Sequence, residues 1–146
     1  MVDASRDDVL RLLPLTAQQF HILLSLTDGH LHGYGIIRDV AARTAGSLRL
    51  GTGTLYTALA RLETLALVEE TDSRSRAKDD DERRRYYRLT PLGRAVLKAE
   101  TNRLDALVHQ ARRKGIVPLR PRSGQASRRP ALNGPALSKA EGSRSR

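Results

Sequence analysis

Residues 51–70 read GTGTLYTALARLETLALVEE, and their apolar residues recur with the period of an α-helix. At about 100° per residue, these residues gather on one side of a helix drawn through the stretch. They are Leu55, Ala58, Leu59, Leu62 and Leu65. The opposite side and its flanks carry Gly53, Tyr56, Thr57, Ala60, Arg61 and Thr64. The stretch therefore predicts a helix with one face for a core and one small face that can form hydrogen bonds.

The outer face of this helix differs from an ordinary solvent-facing surface. Such a surface would carry several Glu and Lys side chains, whereas Glu63 is the only acid in the predicted helix. The glycines and threonines of residues 51–54 leave backbone N–H groups free to meet a phosphate, because a helix N-terminus attracts anions. A solvated face that happens to be small is the alternative, and these residues alone leave it open.

Two shorter helices are predicted before this one. Thr16 and Gln19 form a capping-box pattern at the start of the first helix, and Gly29 is placed to end it. The second helix is predicted from GYGIIRDVAARTAG and ends at Gly46. Their expected apolar faces are Phe20, Leu23, Leu24 and Thr27 in the first helix, and Ile36, Ile37, Val40, Ala41 and Thr44 in the second. Residues 47–50, SLRL, alternate apolar and polar side chains, which indicates a very short strand.

A long β-hairpin is predicted after the third helix. The sequence LVEETDSRSRAKDDDERRRYYRLT contains a strand over residues 67–71, a polar loop and a second strand over residues 85–90. Three helices followed by a hairpin are the winged-helix arrangement. In that fold the third helix enters the major groove of DNA and the hairpin, called the wing, lies along the phosphate backbone. The expected fold class is mainly α with a small β-hairpin, a winged helix-turn-helix.

An arginine run lies in this hairpin. Arg83, Arg84 and Arg85 stand where a wing would contact phosphates. The alternative is a solvated hairpin in which the neighbouring acids of residues 79–82 neutralise the arginines. The two interpretations are compatible, because the acids could pair with the arginines when DNA is absent.

A long helix is predicted from about residue 91 to residue 114. Thr90 and Pro91 form a cap and first-turn pair, and Gly115 stops the helix. Its apolar residues exceed what one helix face needs to close a small core, so we expect dimerisation as well as packing against the first helix of the same subunit. The candidate dimerisation residues are Val96, Leu97, Leu104, Leu107, Val108 and Ala111.

The net charge of +10 is concentrated in the C-terminal tail. Residues 115–146 hold seven Lys and Arg against one acid, which leaves +4 for residues 1–114. The tail is rich in Pro, Gly, Ser and Arg without apolar periodicity, so it is predicted to be disordered. The expected organisation is a flexible segment (1–14), a winged-helix DNA-binding domain (15–90), a dimerisation helix (91–114) and a basic disordered tail (115–146).

Several other classes of protein are disfavoured. The chain has no Cys, which excludes disulfides and thiolate metal sites, and its acidic start resembles neither a secretion signal nor a membrane anchor, so a cytoplasmic location is expected. No Walker-type or dinucleotide-binding glycine loop is present. Asp28, His30 and His32 alternate along an extended segment as metal ligands could, but no further ligand is placed by the sequence. No enzyme activity, metal or cofactor is expected.

Three motifs resemble a known family. LHGYGI (31–36), GTLYTALARLE (53–63) and RRYYRLTPLGRAVL (84–97) are similar to the three signatures of the PadR family of transcriptional regulators, in the same order and spacing. The resemblance covers about residues 15–114. It implies a dimeric winged-helix repressor that binds double-stranded DNA at an operator and is often released by a small-molecule effector, here of unknown identity.

Carried over by position, the resemblance also implies the residues that contact DNA. They are Tyr34 in the second helix, Thr52, Thr54, Tyr56, Thr57 and Arg61 in the third, and Arg83, Arg84, Arg85 and Tyr86 in the wing. Thr57 stands where the family usually has proline, and the chain has no Trp on which flat effectors could stack. The alternative function is a nonspecific basic nucleic-acid-binding or structural protein without effector control. That function would explain the tail but not the Tyr-Thr-Arg face of the third helix.

Overall fold

The computed structural model describes residues 5–71 and 85–118. Its elements in chain order are α1 (Arg6–Leu10), α2 (Ala17–Ser25), β1 (Leu31–His32), α3 (Gly33–Arg43), α4 (Thr52–Thr64), β2 (Val68–Thr71), β3 (Tyr86–Leu89) and α5 (Pro91–Arg113). The three strands form one antiparallel sheet. The fold is a winged helix-turn-helix, mainly α with a small sheet, as the sequence predicts.

The apolar stripe of α4 lies at the centre of the core. Leu55, Leu59 and Leu62 are each at most 1% exposed, which confirms the face predicted from periodicity. The buried face of α2 is broader than predicted, because this helix packs against both α3 and α4. Ile22 and Leu26 are fully covered there.

Hydrogen-bonded caps fix where the helices begin. The capping box of α2 is confirmed, since Gln19 N donates to Thr16 Oγ1 and Thr16 N donates to Gln19 Oε1, both at 3.0 Å. At the start of α5, Thr90 Oγ1 accepts from Gly93 N at 2.9 Å and donates to Ala66 O at 2.6 Å. Thr90 therefore caps α5 and ties it to the turn that follows α4.

The sheet has a third strand that the sequence did not indicate. Its order is β1-β3-β2, with Leu31 opposite Tyr87 and Glu69 opposite Arg88. The two-residue strand β1 pairs with the edge of β3 that the hairpin leaves open. The strand expected at residues 47–50 was wrong: Leu48 N donates to Thr44 Oγ1 at 3.1 Å, so this segment closes the turn after α3 instead.

The N-terminal segment also differs from the expectation of a flexible chain. Ser5 caps α1 by accepting from Asp8 N at 3.2 Å, and Val9 is buried in the core. Leu12 and Leu13 pack against the same core. Apolar residues spaced three and four apart give this short segment one buried side. Residues 1–4 lie outside the described part of the chain.

The described residues fall into two units, the first ending at Asp105 and the second beginning at Ala106. Within the second unit, α5 ends at Arg113 and Gly115 takes a φ of 82°, close to the end that the sequence predicts. The tail predicted to be disordered lies, from residue 119 onward, outside the described residues. No helix within residues 5–71 and 85–118 is long and apolar enough to cross a membrane.

Candidate nucleic-acid interface

The outer face of α4 is exposed along most of its length. Thr52, Thr54, Thr57 and Arg61 are all exposed, and the N-cap residue Gly51 offers no side-chain hydrogen bond to the first turn. The N–H groups at the start of α4 are therefore not capped by the side chain of their N-cap residue. The positive end of the helix dipole is available to an anion at this end.

A shallow groove of about 500 Å³ runs between the start of α2 and the outer face of α4. It is lined by Thr16, Gln18, Gln19, Gly53, Thr54, Thr57, Ala58 and Arg61. The structure thus brings together three of the predicted contact residues, Thr54, Thr57 and Arg61. The contribution of α2 was missed by the sequence reasoning, although the polar capping box at its start was a usable signal.

The side chains of Tyr34 and Tyr56 both lie beside the start of α3. Tyr34 is 63% exposed, and the guanidinium carbon of Arg38 lies 5.6 Å from the centroid of its ring. That distance is within the range of a cation–π contact. Tyr56 is 38% exposed, because its ring lies against the neighbouring Gly33. Tyr56 therefore lies off the apolar stripe, as the helical projection predicts, but its ring is partly covered by the start of α3.

Hydrogen bonds between α2 and α3 hold this corner of the molecule in place. Asp39 Oδ2 accepts from Ser25 Oγ at 2.7 Å and from Arg43 Nε at 2.8 Å, while Arg43 Nη2 donates to His21 O at 2.9 Å. Burial alone would raise the pKa of Asp39, but the bonds from Arg43 and Ser25 outweigh it and the pKa is lowered. Burial, helped by the charge of Arg43, lowers the pKa of His21.

The structure describes the two strands of the wing, β2 and β3, and Arg85 before β3, but not residues 72–84. Arg85 is exposed and forms an ion pair with Glu70 at 3.5 Å. Arg88 forms a closer pair with Glu69 at 2.6 Å. Arg83 and Arg84 lie outside the described chain, as do the acids of residues 79–82. The strand acids that pair with Arg85 and Arg88 were missed, and the antiparallel register of the two strands was the signal for them.

Tyr86 and His32 pack together on the sheet. Their rings meet edge to face, with centroids 5.3 Å apart and an angle of 78°. His32 Nδ1 also accepts from Gly35 N at 3.0 Å, so the imidazole caps α3. Among residues 5–71 and 85–118, no three His, Cys, Asp or Glu side chains are grouped so that they could hold a metal ion.

The candidate dimerisation residues divide into two groups. Val96 and Leu97 belong to the core of their own subunit, so they are not available to a partner, and the expectation was wrong for these two. They are covered because the first turns of α5 close the core. In the second unit, Leu107 and Val108 are 47% and 45% exposed. Leu104 and Ala111 are half-buried.

Comparison with known proteins gives consistent matches. Residues 22–99 match the model of the transcriptional regulator PadR-like family. The transcriptional regulator Rv3488 of Mycobacterium tuberculosis is 34% identical over 94 residues, which are 64% of this chain and 81% of that protein. An uncharacterized 37.1 kDa protein of transposon TN4556 from Streptomyces fradiae is 40% identical over 89 residues, which are 61% of this chain but 23% of that protein.

A solved structure supports the same assignment. A transcriptional regulator from Clostridium thermocellum, Cth-833, is similar with a TM-score of 0.56 and 26% identity, covering 77% of this chain and 98% of that one. The family model runs from the second half of α2 into the first half of α5, which is more than half of the 146 residues. The chain therefore belongs to the PadR-like family of transcriptional regulators.

Proposed function

We propose that this regulator is a sequence-specific repressor that binds an inverted-repeat operator as a homodimer. The observation that carries the proposal is the exposed outer face of α4, where threonines and Arg61 line one groove with the start of α2. None of the residues that line this groove is acidic. A face of this kind can approach the phosphates of DNA without charge repulsion.

The dimensions and chemistry of α4 suit the major groove. That groove of B-DNA admits one α-helix, and each base pair presents a distinct pattern of donors and acceptors there. Arg61 can donate two hydrogen bonds to a guanine, while Thr54 and Thr57 can contact either strand through their hydroxyl and methyl groups. Base readout is therefore assigned to the outer residues of α4.

Phosphate contacts would set the register of α4 on the duplex. The starts of both α2 and α4 border the groove. The start of α4 offers N–H groups and a positive dipole end to a phosphate, whereas the capping box already bonds the Gln19 N–H of α2. Arg85 can add a wing contact, since its exposed pair with Glu70 contributes only about 0–1 kcal/mol and can be exchanged for a phosphate.

Dimerisation is assigned to the end of α5 and the turn after it. A groove of about 700 Å³ is lined there in part by Leu107, Ala111 and Ile116, and Ile116 is 73% exposed. Exposed apolar residues gathered in this way are typical of a protein interface. A two-fold pair of subunits would match the two half-sites of an inverted repeat.

Footprinting on the DNA upstream of the protein's own coding sequence tests the proposal. We expect two protected half-sites related by a two-fold axis, with centres separated by about one helical turn or a multiple of it. Arg61→Ala should weaken the protection of both half-sites relative to the surrounding DNA. Arg11→Ala removes the same charge from a surface pair with Asp8 and should preserve it. Uniform protection of all DNA by both variants and by the wild type would favour the nonspecific basic protein instead.

A further inference from the structure

Gly33, the first residue of α3, is buried beneath two successive residues of α4. A Cβ atom added to Gly33 would overlap the Tyr56 hydroxyl, lie 2.8 Å from Tyr56 Cζ and lie 3.2 Å from Leu55 Cδ2. Carbon atoms in ordinary contact are about 3.5–4.0 Å apart. The ring of Tyr56 can therefore lie on the backbone of α3 only because residue 33 has no side chain.

The other glycine in the first turn of α3 provides a contrast. A Cβ on Gly35 would lie 3.4 Å from Leu31 Cδ2 and 3.6 Å from the His32 ring, which is ordinary packing. Gly33 and Gly35 both have negative φ, so neither needs glycine for its backbone conformation. Alanine is the better helix former at both positions. At residue 33, the contact with Tyr56 accounts for a glycine that disfavours the helix.

We propose that Gly33 is a positioning residue for DNA recognition, because its missing side chain lets the start of α3 hold the Tyr56 ring in one place on the DNA-binding face. The inference rests on the proposed function, since the place of Tyr56 affects recognition only if α4 enters DNA.

Holding Tyr56 in place has a physical advantage for binding. An exposed tyrosine samples several rotamers, and ordering it at an interface has an entropic cost. The contact with Gly33 orders the ring before DNA arrives, while 38% of Tyr56 stays exposed. Tyr34 follows Gly33 directly in the chain and is 63% exposed, so two phenol rings, one from α3 and one from α4, lie beside Gly33.

The contact can be tested without DNA in Gly33→Ala. The hydroxyl end of the Tyr56 ring can swing into solvent, so we expect this variant to fold. The 146-residue chain labelled with 3-fluorotyrosine has four tyrosines to resolve by ¹⁹F NMR, and Tyr56→Phe assigns the resonance of Tyr56. That resonance should move toward the shift of free 3-fluorotyrosine in Gly33→Ala and stay in place in the control Gly35→Ala. An unmoved resonance in Gly33→Ala overturns the inference.

The role in recognition is tested with two duplexes, one covering the footprinted upstream site and one with the same bases shuffled. Gly33→Ala should weaken binding to the footprinted duplex roughly tenfold, the scale of one specific base contact, and change binding to the shuffled duplex little. Adding Gly33→Ala to the Tyr56→Ala variant should not weaken binding any further, because Gly33 acts through Tyr56.

Two results would overturn the role in recognition. If Gly33→Ala reduced the affinity equally in the wild type and in the Tyr56→Ala variant, Gly33 would act through another contact. A wild-type protein that binds both duplexes equally would contradict the proposed function and this role with it. The fluorine spectra separate the two failures, because they report the Gly33 contact whether or not DNA is recognised.

Discussion

Gly93 lies in the first turn of α5, directly against the backbone of Leu67. A Cβ at residue 93 would overlap the Leu67 carbonyl oxygen and lie 2.9 Å from the carbonyl carbon. That oxygen also accepts a hydrogen bond from Thr90 N at 3.1 Å, so the Leu67 backbone cannot withdraw without breaking it. The close approach of two backbones leaves room for glycine alone.

Gly93→Ala should lower the free energy of unfolding by about 1–3 kcal/mol, because the added methyl group overpacks this contact. Urea denaturation measures the effect. Gly53→Ala is the matched control: no atom lies within 4 Å of its Cβ position, so the change should be neutral or stabilising by roughly 0.5–1 kcal/mol. If Gly93→Ala and Gly53→Ala destabilised the protein equally, the contact with Leu67 would not be the reason for glycine at residue 93.

Glu100 is a buried acid with three hydrogen bonds. It accepts from Arg103 at 2.7 and 2.8 Å and from Leu15 N at 3.2 Å, and it is 1% exposed. The bonds from Arg103 lower the pKa of Glu100 despite its burial, and the bond from Leu15 adds to the effect. The carboxylate form is therefore favoured by folding.

This lowered pKa predicts a pH dependence of stability. The contribution of Glu100 is fully present above the ordinary pKa of an unfolded Glu and is lost as the pH falls through the lowered folded value. Glu100→Gln should flatten that part of the stability profile on the acid side, measured as the free energy of unfolding between neutral and acidic pH. A variant whose loss of stability on acidification matches the wild type would contradict the role of Glu100.

Contacts between distant residues could not be predicted from the sequence. Leu15 and Glu100 are 85 residues apart, and no local pattern links a buried Glu to a backbone N–H. Tyr56 was correctly assigned to the outer side of its helix, but its packing on Gly33 depends on how α3 meets α4. Residue type and helical phase give the direction of a side chain, whereas its neighbours depend on tertiary packing.

Elements with a long, regular pattern were predictable. The apolar stripe of α4 and the bounds of α5 followed from helical periodicity and caps. The short elements were not, because the five residues of α1 and the two of β1 contain too little pattern. The pairing of β1 with β3 also joins segments far apart in the chain, so it depends on the assembled core.

The wing is expected to set the register of the protein on DNA. Replacing Arg84 and Arg85 by Ala should reduce the slope of log affinity against log salt by about 0.9 for each phosphate that the protein no longer neutralises. Binding to the operator should weaken more than binding to random duplex, because a docked complex engages phosphates at fixed positions. Titrations at several salt concentrations measure both effects.

Arg88→Ala is the control for the wing. Arg88 is bonded to Glu69 at 2.6 Å, so it is less available to a phosphate and its removal should change the salt slope less. If the Arg84 and Arg85 double variant kept the wild-type ratio of operator to random binding, the wing would contribute only nonspecific charge.

The exposed end of α5 is expected to hold two subunits together. Glutamate at Leu107 and Val108 should give monomers that bind the operator poorly, because charges buried in an apolar interface are strongly unfavourable and one subunit reaches only one half-site. Light scattering measures the oligomeric state. Asn102→Glu adds a charge at an exposed position of the same helix and should leave a dimer. A dimer that survives the double change would place the interface elsewhere.

For the whole molecule, the order of the elements and the three motifs were sufficient to predict the fold and the family. The family model matches residues 22–99, so it includes the outer face of α4 and ends before Leu107 and Val108, the exposed apolar residues of α5. Most of the net positive charge lies in residues 115–146, and charge alone is expected to raise the affinity for every DNA sequence equally. The recognition of sequence is therefore expected from α4.

The ratio of affinities for the footprinted duplex and a shuffled duplex of the same length, measured at one salt concentration, tests this claim most directly. A sequence-reading regulator should prefer its site by a factor on the order of 10³ or more. Arg61→Ala should reduce that preference by roughly 1–3 kcal/mol, while Arg11→Ala should preserve it. A wild-type ratio near one, or a ratio unchanged by Arg61→Ala, would contradict the assignment of sequence recognition to α4.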